Sequence, residues 1–286
     1  MAAARPHPPR RPSKLVATLA LAAALLSGGC GINSAKRSYV MAESLWTDGK
    51  YAAAVAEFEK VIAKDPGGKL GLMALNRAAT TQALFLNQYA EAVRKFRVFA
   101  EISQDAEAAW EARRQIGEIL FSKTENYEEA IAHYTQMLGL KPQYPEAPEY
   151  LFRIGKSQFY LRQFSEAVQT YRDLIQKYPG SHLAEKALFE TGITLYTRGG
   201  SSPRTRGSGP DYYQQAIDAY ERFLKVYPGS ELAPQARFGI ANCLEEMDLL
   251  DQAFEAYLAL RGKYPSPNVI EIKLARIKER KSQRIR

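Results

Sequence analysis

FSEAVQTYRDLIQKYPGS, Phe164 to Ser181, contains the pattern that most of the chain repeats. An aromatic, an alanine three residues on and a second aromatic at seven place Phe164, Ala167 and Tyr171 on one face of a helix, a stripe that needs an apolar partner. Fifteen residues after Phe164 comes Pro179, which has no N–H to give and stops the helix. Gly180 suits a turn, and the Ser181 hydroxyl is placed to cap the next helix by accepting a backbone N–H. YPGS, which recurs at Tyr227 to Ser230, therefore reads as punctuation between helices.

The same triplet recurs as Tyr51, Ala54, Phe58; Tyr89, Ala92, Phe96; Tyr127, Ala130, Tyr134; and Tyr213, Ala216, Tyr220. A sixth copy opens with a substitution, as Leu250, Ala253, Tyr257. Successive starts lie 38, 38, 37, 49 and 37 residues apart, and the long interval contains the glycine- and serine-rich insertion 199–210, GGSSPRTRGSGP. Subtracting it restores the period. Pro66, Pro142, Pro228 and Pro265 hold the place of Pro179, and the second repeat alone has Gln104 there. Upstream of each start lies another helical stretch with a small residue nine before the start, at Ala42, Gly155, Ala241 and, after subtraction, Gly192; Ala79 and Gly117 are displaced by one. These small residues mark where two helices of a pair cross.

Helix pairs with small, aromatic, alanine, aromatic and proline positions at these offsets resemble tetratricopeptide repeats, whose usual period is about 34 residues. The resemblance implies an all-α solenoid of about six helix pairs over residues 30–268, followed by a basic C-terminal capping helix at 269–286. The longer period and the YPGS junctions look like the periplasmic branch that includes the BamD-type outer-membrane assembly lipoproteins and the CpoB-type (YbgF) proteins of the Tol-Pal system.

The beginning of the chain reads differently. Arg5, Arg10, Arg11 and Lys14 precede an apolar run from Leu15 to Leu26, and Ser27, Gly28 and Gly29 lead to Cys30, the layout of a secretory signal over 1–29. The run is about 18 Å long as a helix, too short for a hydrocarbon core of about 30 Å. LLSGGC resembles the bacterial lipoprotein processing box, which makes Cys30 the lipidated N-terminus; cleavage after Gly29 to a soluble periplasmic protein is the alternative. With Gly31 after the cysteine, the resemblance implies sorting to the outer membrane, periplasmic face. If Cys30 carries lipid, Cys243 has no partner for a disulfide and reads as a small buried apolar residue.

The formal charge of +8 is unevenly spread. Four positive charges belong to the leader, and seven Lys or Arg against two Glu from Ile270 onward make the tail basic, so the repeat body is close to neutral and offers no footprint for nucleic acid. The tail is expected to cap the solenoid through Ile270, Ile272, Leu274 and Ile277, with an acidic partner or anionic lipid as the other possibility. DPGGKL at Asp65 to Leu70 lacks the spacing of a phosphate-binding loop, and there is no H-E-x-x-H among three histidines. Neither catalytic residues, a metal site nor a cofactor is expected.

In the repeat family the first helix of each pair lines an extended concave surface. Twelve residues before the start stand Tyr39, Phe152, Phe189 and Phe238, and Trp46, Phe159, Tyr160 and Tyr196 fall at other groove positions. These eight are the candidate contacts for a protein or peptide partner, with packing within the repeats as the alternative. The implied function is a periplasmic scaffold in envelope or outer-membrane protein assembly, or alternatively a CpoB-type peptidoglycan coordinator or a pilus or secretion pilotin.

Overall fold

The computed structural model describes residues 33–141, 143–201 and 211–285. The leader, Cys30, Pro142 and the greater part of the 199–210 insertion lie outside them. Among the described residues every regular element is helical, and none is long and apolar enough to cross a membrane. The chain divides into two compact units, Met1–Thr124 and Glu125–Arg286.

The first unit contains α1 (33–47), α2 (Tyr51–Lys64), α3 (Lys69–Leu84), α4 (Tyr89–Ile102) and α5 (Ala106–Glu118), which runs on into a π-helical turn, Ile119–Lys123. From α2 on, each helix packs on the next. The second unit contains α6 (Tyr127–Leu140), α7 (Ala147–Tyr160), α8 (Phe164–Lys177), α9 (His182–Ser201), α10 (Tyr212–Val226), α11 (Ala233–Glu246), α12 (Leu250–Leu258) and α13 (Pro267–Ile285). Here too neighbours in sequence pack together, and α9 also touches both α7 and α11, so three first helices lie side by side. Within each unit this is the packing order of a helix-pair solenoid, closed in the second by α13.

The triplets explain the packing. All six alanines are fully buried and the six aromatics that end the triplets are at most 4% exposed. The rings occupy the space that small residues leave on the facing helix. A Cβ built on Gly155 would lie 2.5 Å from the Tyr171 ring, and Tyr220 is enclosed on two sides, with Gly192 of its own pair and Gly239 of the next each leaving 2.5 Å. Such distances are well inside van der Waals contact, so these glycines are required by close approach.

The junctions behave as the sequence suggests, with one difference. Ser181 Oγ accepts the N–H of Leu183 at 3.2 Å, and Ser230 Oγ that of Leu232 at 3.0 Å. In the second repeat, where no proline stands, Asp105 caps α5 by accepting from Glu107 and Ala108. Gly180 and Gly229, however, have ordinary φ and open space around the missing Cβ, because proline and serine alone make this turn. The left-handed residue sits instead inside each pair, two before the second helix: Gly49, Asn87, Glu125, Arg162 and Asp248, with φ between 50° and 74°. In the repeat carrying the insertion, Asp211 caps α10 by accepting from Gln214 at 3.0 Å.

Two irregularities of the period have separate causes. In three pairs the turn closes through a bond spanning five residues, as from Gln163 N–H to Gln158 C=O. The second repeat closes across six, from Gln88 to Gln82, which moves Ala79 back by one. In the third the extra residue lies in the π-helical turn, where the Thr124 N–H reaches Ile119 C=O, which moves Gly117.

The basic tail forms the end of the second unit. Ile270, Leu274 and Ile277 are at most 3% exposed, while Ile272, expected to dock with them, is 66% exposed because it lies off their i, i+4, i+7 stripe. Beneath them Glu245, 2% exposed, is held by Lys273 at 2.9 Å, Arg276 at 3.4 Å and Arg280 at 3.5 Å. Arg280 also pairs with Asp248 and Lys281 with Asp251, so the tail's charge is largely directed at α11 and α12. Burial acts to raise the Glu245 pKa, but the hydrogen bond and charge of Lys273, the Tyr257 hydroxyl and Arg276 outweigh it and hold the carboxyl below its ordinary value.

Gly239→Leu is expected to lower stability by roughly 1–3 kcal/mol through overpacking, whereas Gly180→Ala should leave it unchanged or raise it by about 0.4–1 kcal/mol; thermal melts of the two variants check both. Glu245 contributes stability above the unfolded carboxylate pKa of about 4.3, and that contribution is lost as pH falls through its lower folded value. Glu245→Gln should therefore cost roughly 1–3 kcal/mol at neutral pH and flatten the fall of melting temperature below about pH 4.

Candidate functional site

In the first unit the first-helix face is made by α1 and α3. Arg77 reaches back to Glu43 with two bonds of 3.2 Å, and its guanidinium lies 4.0 Å over the Trp46 ring. The pair and Tyr39, with Met73, Asn76 and Thr80, line a shallow hollow of about 540 Å³. Burial, then the charge of Glu43, raises the Tyr39 pKa against the opposing pull of Arg77. Beside the hollow, Phe85 stacks on Tyr51 at 4.2 Å and meets Trp46 edge-on at 5.8 Å.

The second unit repeats this arrangement on α7 and α9 with the charges reversed. Lys156 pairs with Glu190 at 3.1 Å and lies over both the Phe159 and Tyr160 rings. Tyr160 stacks on Tyr127 at 4.7 Å, as Phe85 does on Tyr51. Three polar atoms here are buried without a hydrogen-bond partner: Ser157 Oγ, Tyr171 Oη and Glu190 Oε2. Burial, then the negative charge of Glu190, drives the Tyr171 pKa far up, which keeps the phenol neutral and able to donate. An orphaned polar group costs about 1–3 kcal/mol, and Ser157 and Tyr171, both fully buried, lie in the core beneath this face.

The eight candidate aromatics fall into regular classes. Tyr39, Phe152, Phe189 and Phe238 each meet the last ring of their own triplet, Phe58, Tyr171, Tyr220 and Tyr257, at 5.6 to 5.9 Å. Trp46, Phe159 and Tyr196 each meet their own starting ring, Tyr51, Phe164 and Tyr213, at 5.7 to 6.0 Å. These seven are half-buried, with one side packed in the pair and the other left open. Tyr160 is the most open, at 47% exposed. Within a unit the structure brings together Tyr39 with Trp46, and Phe152 with Phe159 and Tyr160, along a first helix. Sequence reasoning missed Glu43, Arg77, Lys156 and Glu190; the equal spacing of 34 residues within each ion pair was the available signal.

Among the described residues no group of three His, Cys, Asp or Glu could hold a metal. His133 is 8% exposed within α6, and burial pushes the Cys243 thiol up to about 12, leaving it an inert apolar residue.

Family models of the tetratricopeptide repeat match residues 39–106, 81–148, 149–181 and 212–266, well over half of the chain. The protein belongs to the tetratricopeptide repeat family. Members of this family generally mediate protein–protein interactions, and the match is to no enzyme family. Comparison with curated protein sequences gave no match. Among solved structures, a tetratricopeptide repeat protein from Parabacteroides merdae is similar at 14% identity, with 87% of this chain and 88% of that one covered and a TM-score of 0.48. PilW, described as a type IV pilus biogenesis factor, is similar at 16% identity over 85% of this chain and 97% of its own, also at 0.48. YrrB, described as having an unusual peptide-binding site, shows 16% identity over 70% and 90%, at 0.44.

Phe189→Ala should lower stability by about 2 kcal/mol, since its ring touches both Tyr220 and Phe223. Tyr160→Ala, which removes a largely exposed ring stacked on Tyr127 and edge-on to Phe159, should cost less, about 1 kcal/mol. Denaturant melts of the two variants measure the difference.

Proposed function

We propose that this tetratricopeptide protein is a lipid-anchored scaffold on the periplasmic face of the outer membrane, holding a protein partner on its first-helix faces during envelope or outer-membrane protein assembly, in the manner of the BamD-type lipoproteins. The observation that carries the scaffold reading is the first-helix face itself. Open aromatic sides lie there beside ion pairs that tie successive first helices. A peptide laid along such a face gains apolar contact from rings already held in place and meets the charged groups of the ion pairs.

The location rests on the sequence alone: the basic and apolar leader, the LLSGGC box and Gly31 after Cys30. A lipid on Cys30 and the short tether of Gly31 and Ile32 would keep α1 close to the membrane surface. A single chain gives weak attachment, so stable anchoring needs the multiple acylation typical of such lipoproteins.

Mass spectrometry of the mature N-terminus tests the anchor: an acylated Cys30 supports it, and an unmodified N-terminus after Gly29 means a soluble periplasmic protein. Crosslinking in intact envelopes tests the pathway, with Tyr160→Ala as the face variant. Barrel-assembly components recovered with the native chain and lost with the variant support the assembly role. Tol-Pal components or cell-wall synthases would instead assign a CpoB-type coordinator, and pilus or secretion components a pilotin.

A further inference from the structure

The second unit has another surface that the first-helix reading does not use. Between α8 and α10, the second helices of successive pairs, lies an open groove of about 740 Å³ with α9 as its floor. The floor is apolar and closed: Leu188 and Leu195 are 5% and 4% exposed, and the Thr191 hydroxyl between them is satisfied by Ala187 C=O at 2.8 Å. Ile175 and Ala219 continue it up the two walls.

The rim carries charge of one predominant sign. Arg172 stands on the α8 wall and Arg222 on the α10 wall, both exposed and, among the described residues, neither with a hydrogen bond or ion pair. The single carboxylate in the groove, Asp218, accepts from Gln214 at 2.9 Å on its own helix. Elsewhere in this unit Lys156 is matched by Glu190, Arg153 by Glu149, Arg261 by Glu271 and Lys273 by Glu245. Two guanidinium forks left open on opposite sides of an apolar trough are suited to carboxylates, which each can take in two parallel bonds.

We propose that the α8–α10 groove docks an acidic, amphipathic peptide segment of a partner protein, placing aliphatic side chains on Leu188 and Leu195 and carboxylates on Arg172 and Arg222. The volume suits a few side chains rather than a whole domain. Asp218 disfavours a segment with carboxylates at every position, so the occupant alternates charge with apolar residues. Because the groove is made by second helices, it can be filled while the first-helix face holds another partner.

Fluorescence anisotropy with the full chain tests this, using a labelled amphipathic peptide of Leu and Glu and a matched peptide of Leu and Lys. The Leu/Glu peptide should bind saturably, and Arg172→Glu or Arg222→Glu should weaken it about ten-fold each, the loss of one bidentate pair. The double reversal should bind the Leu/Lys peptide in preference. Melting temperatures should stay unchanged, since both side chains are exposed and unpaired. Tyr160→Ala should leave this binding intact, which separates it from the first-helix face. Equal binding of both peptides, an affinity unmoved by the double reversal, or displacement by millimolar inorganic phosphate would overturn the proposal.

Discussion

The ring that ends each triplet has to lie nearly flush against the backbone of a neighbouring helix, and that close approach sets the geometry of the rest. Tyr220 shows the constraint at its tightest, with Gly192 on one side and Gly239 on the other. Because the ring touches first helices of two successive pairs, it fixes the crossing within a pair and the stacking between pairs at once. The buried alanine of the triplet, four residues earlier, lets the same helix approach along its length. No pair could bury these groups alone, so the interaction that makes a pair also demands a neighbour.

The binding faces are consequences of this arrangement. Once the final ring of a triplet is pinned, the aromatic twelve before the start must lean on it, and the one five before must lean on the starting ring. Both are then held half in the core with one side outward. Rings fixed in this way lose little entropy when a partner covers them, which is what a preorganised surface requires. The ion pairs Glu43–Arg77 and Lys156–Glu190 tie successive first helices at the same height. Their reversed polarity gives the two units faces of similar shape and different charge order.

The fold was legible because its determinants are side chains with a strict period: triplets, small residues and proline stops can all be counted. What escaped was carried by backbone. The left-handed residue within each pair is Gly, Asn, Glu, Arg or Asp in turn, so the turn tolerates a strained Glu125 or Arg162 without leaving a residue signature. Reading Gly180 as the turn residue followed composition, whereas the conformation needed no glycine there. The α9 helix continues to Ser201, into a stretch whose composition suggests a loop, because Gly199 packs on the Tyr213 ring and Arg198 lies 4.2 Å over Tyr212. At the candidate site the aromatics were visible by position, while the charges between helices became meaningful only once α1 met α3 and α7 met α9.

The basic tail shows why net charge alone is a poor guide to partners. Seven cations at the end of a chain suggest an acidic surface somewhere outside it, yet Glu245, Asp248 and Asp251 supply that surface from within the same unit. The cost of burying the Glu245 carboxylate is offset by Lys273, Arg276 and the Tyr257 hydroxyl together, and the amphipathic stripe of α13 is then pressed onto the last pair. The outer side of α1 has no equivalent cover among the described residues: Val40 and Met41 are 63% and 53% exposed beside Lys36 and Arg37. Apolar side chains of α1 thus stay open, whereas the apolar stripe of α13 is buried against its own unit.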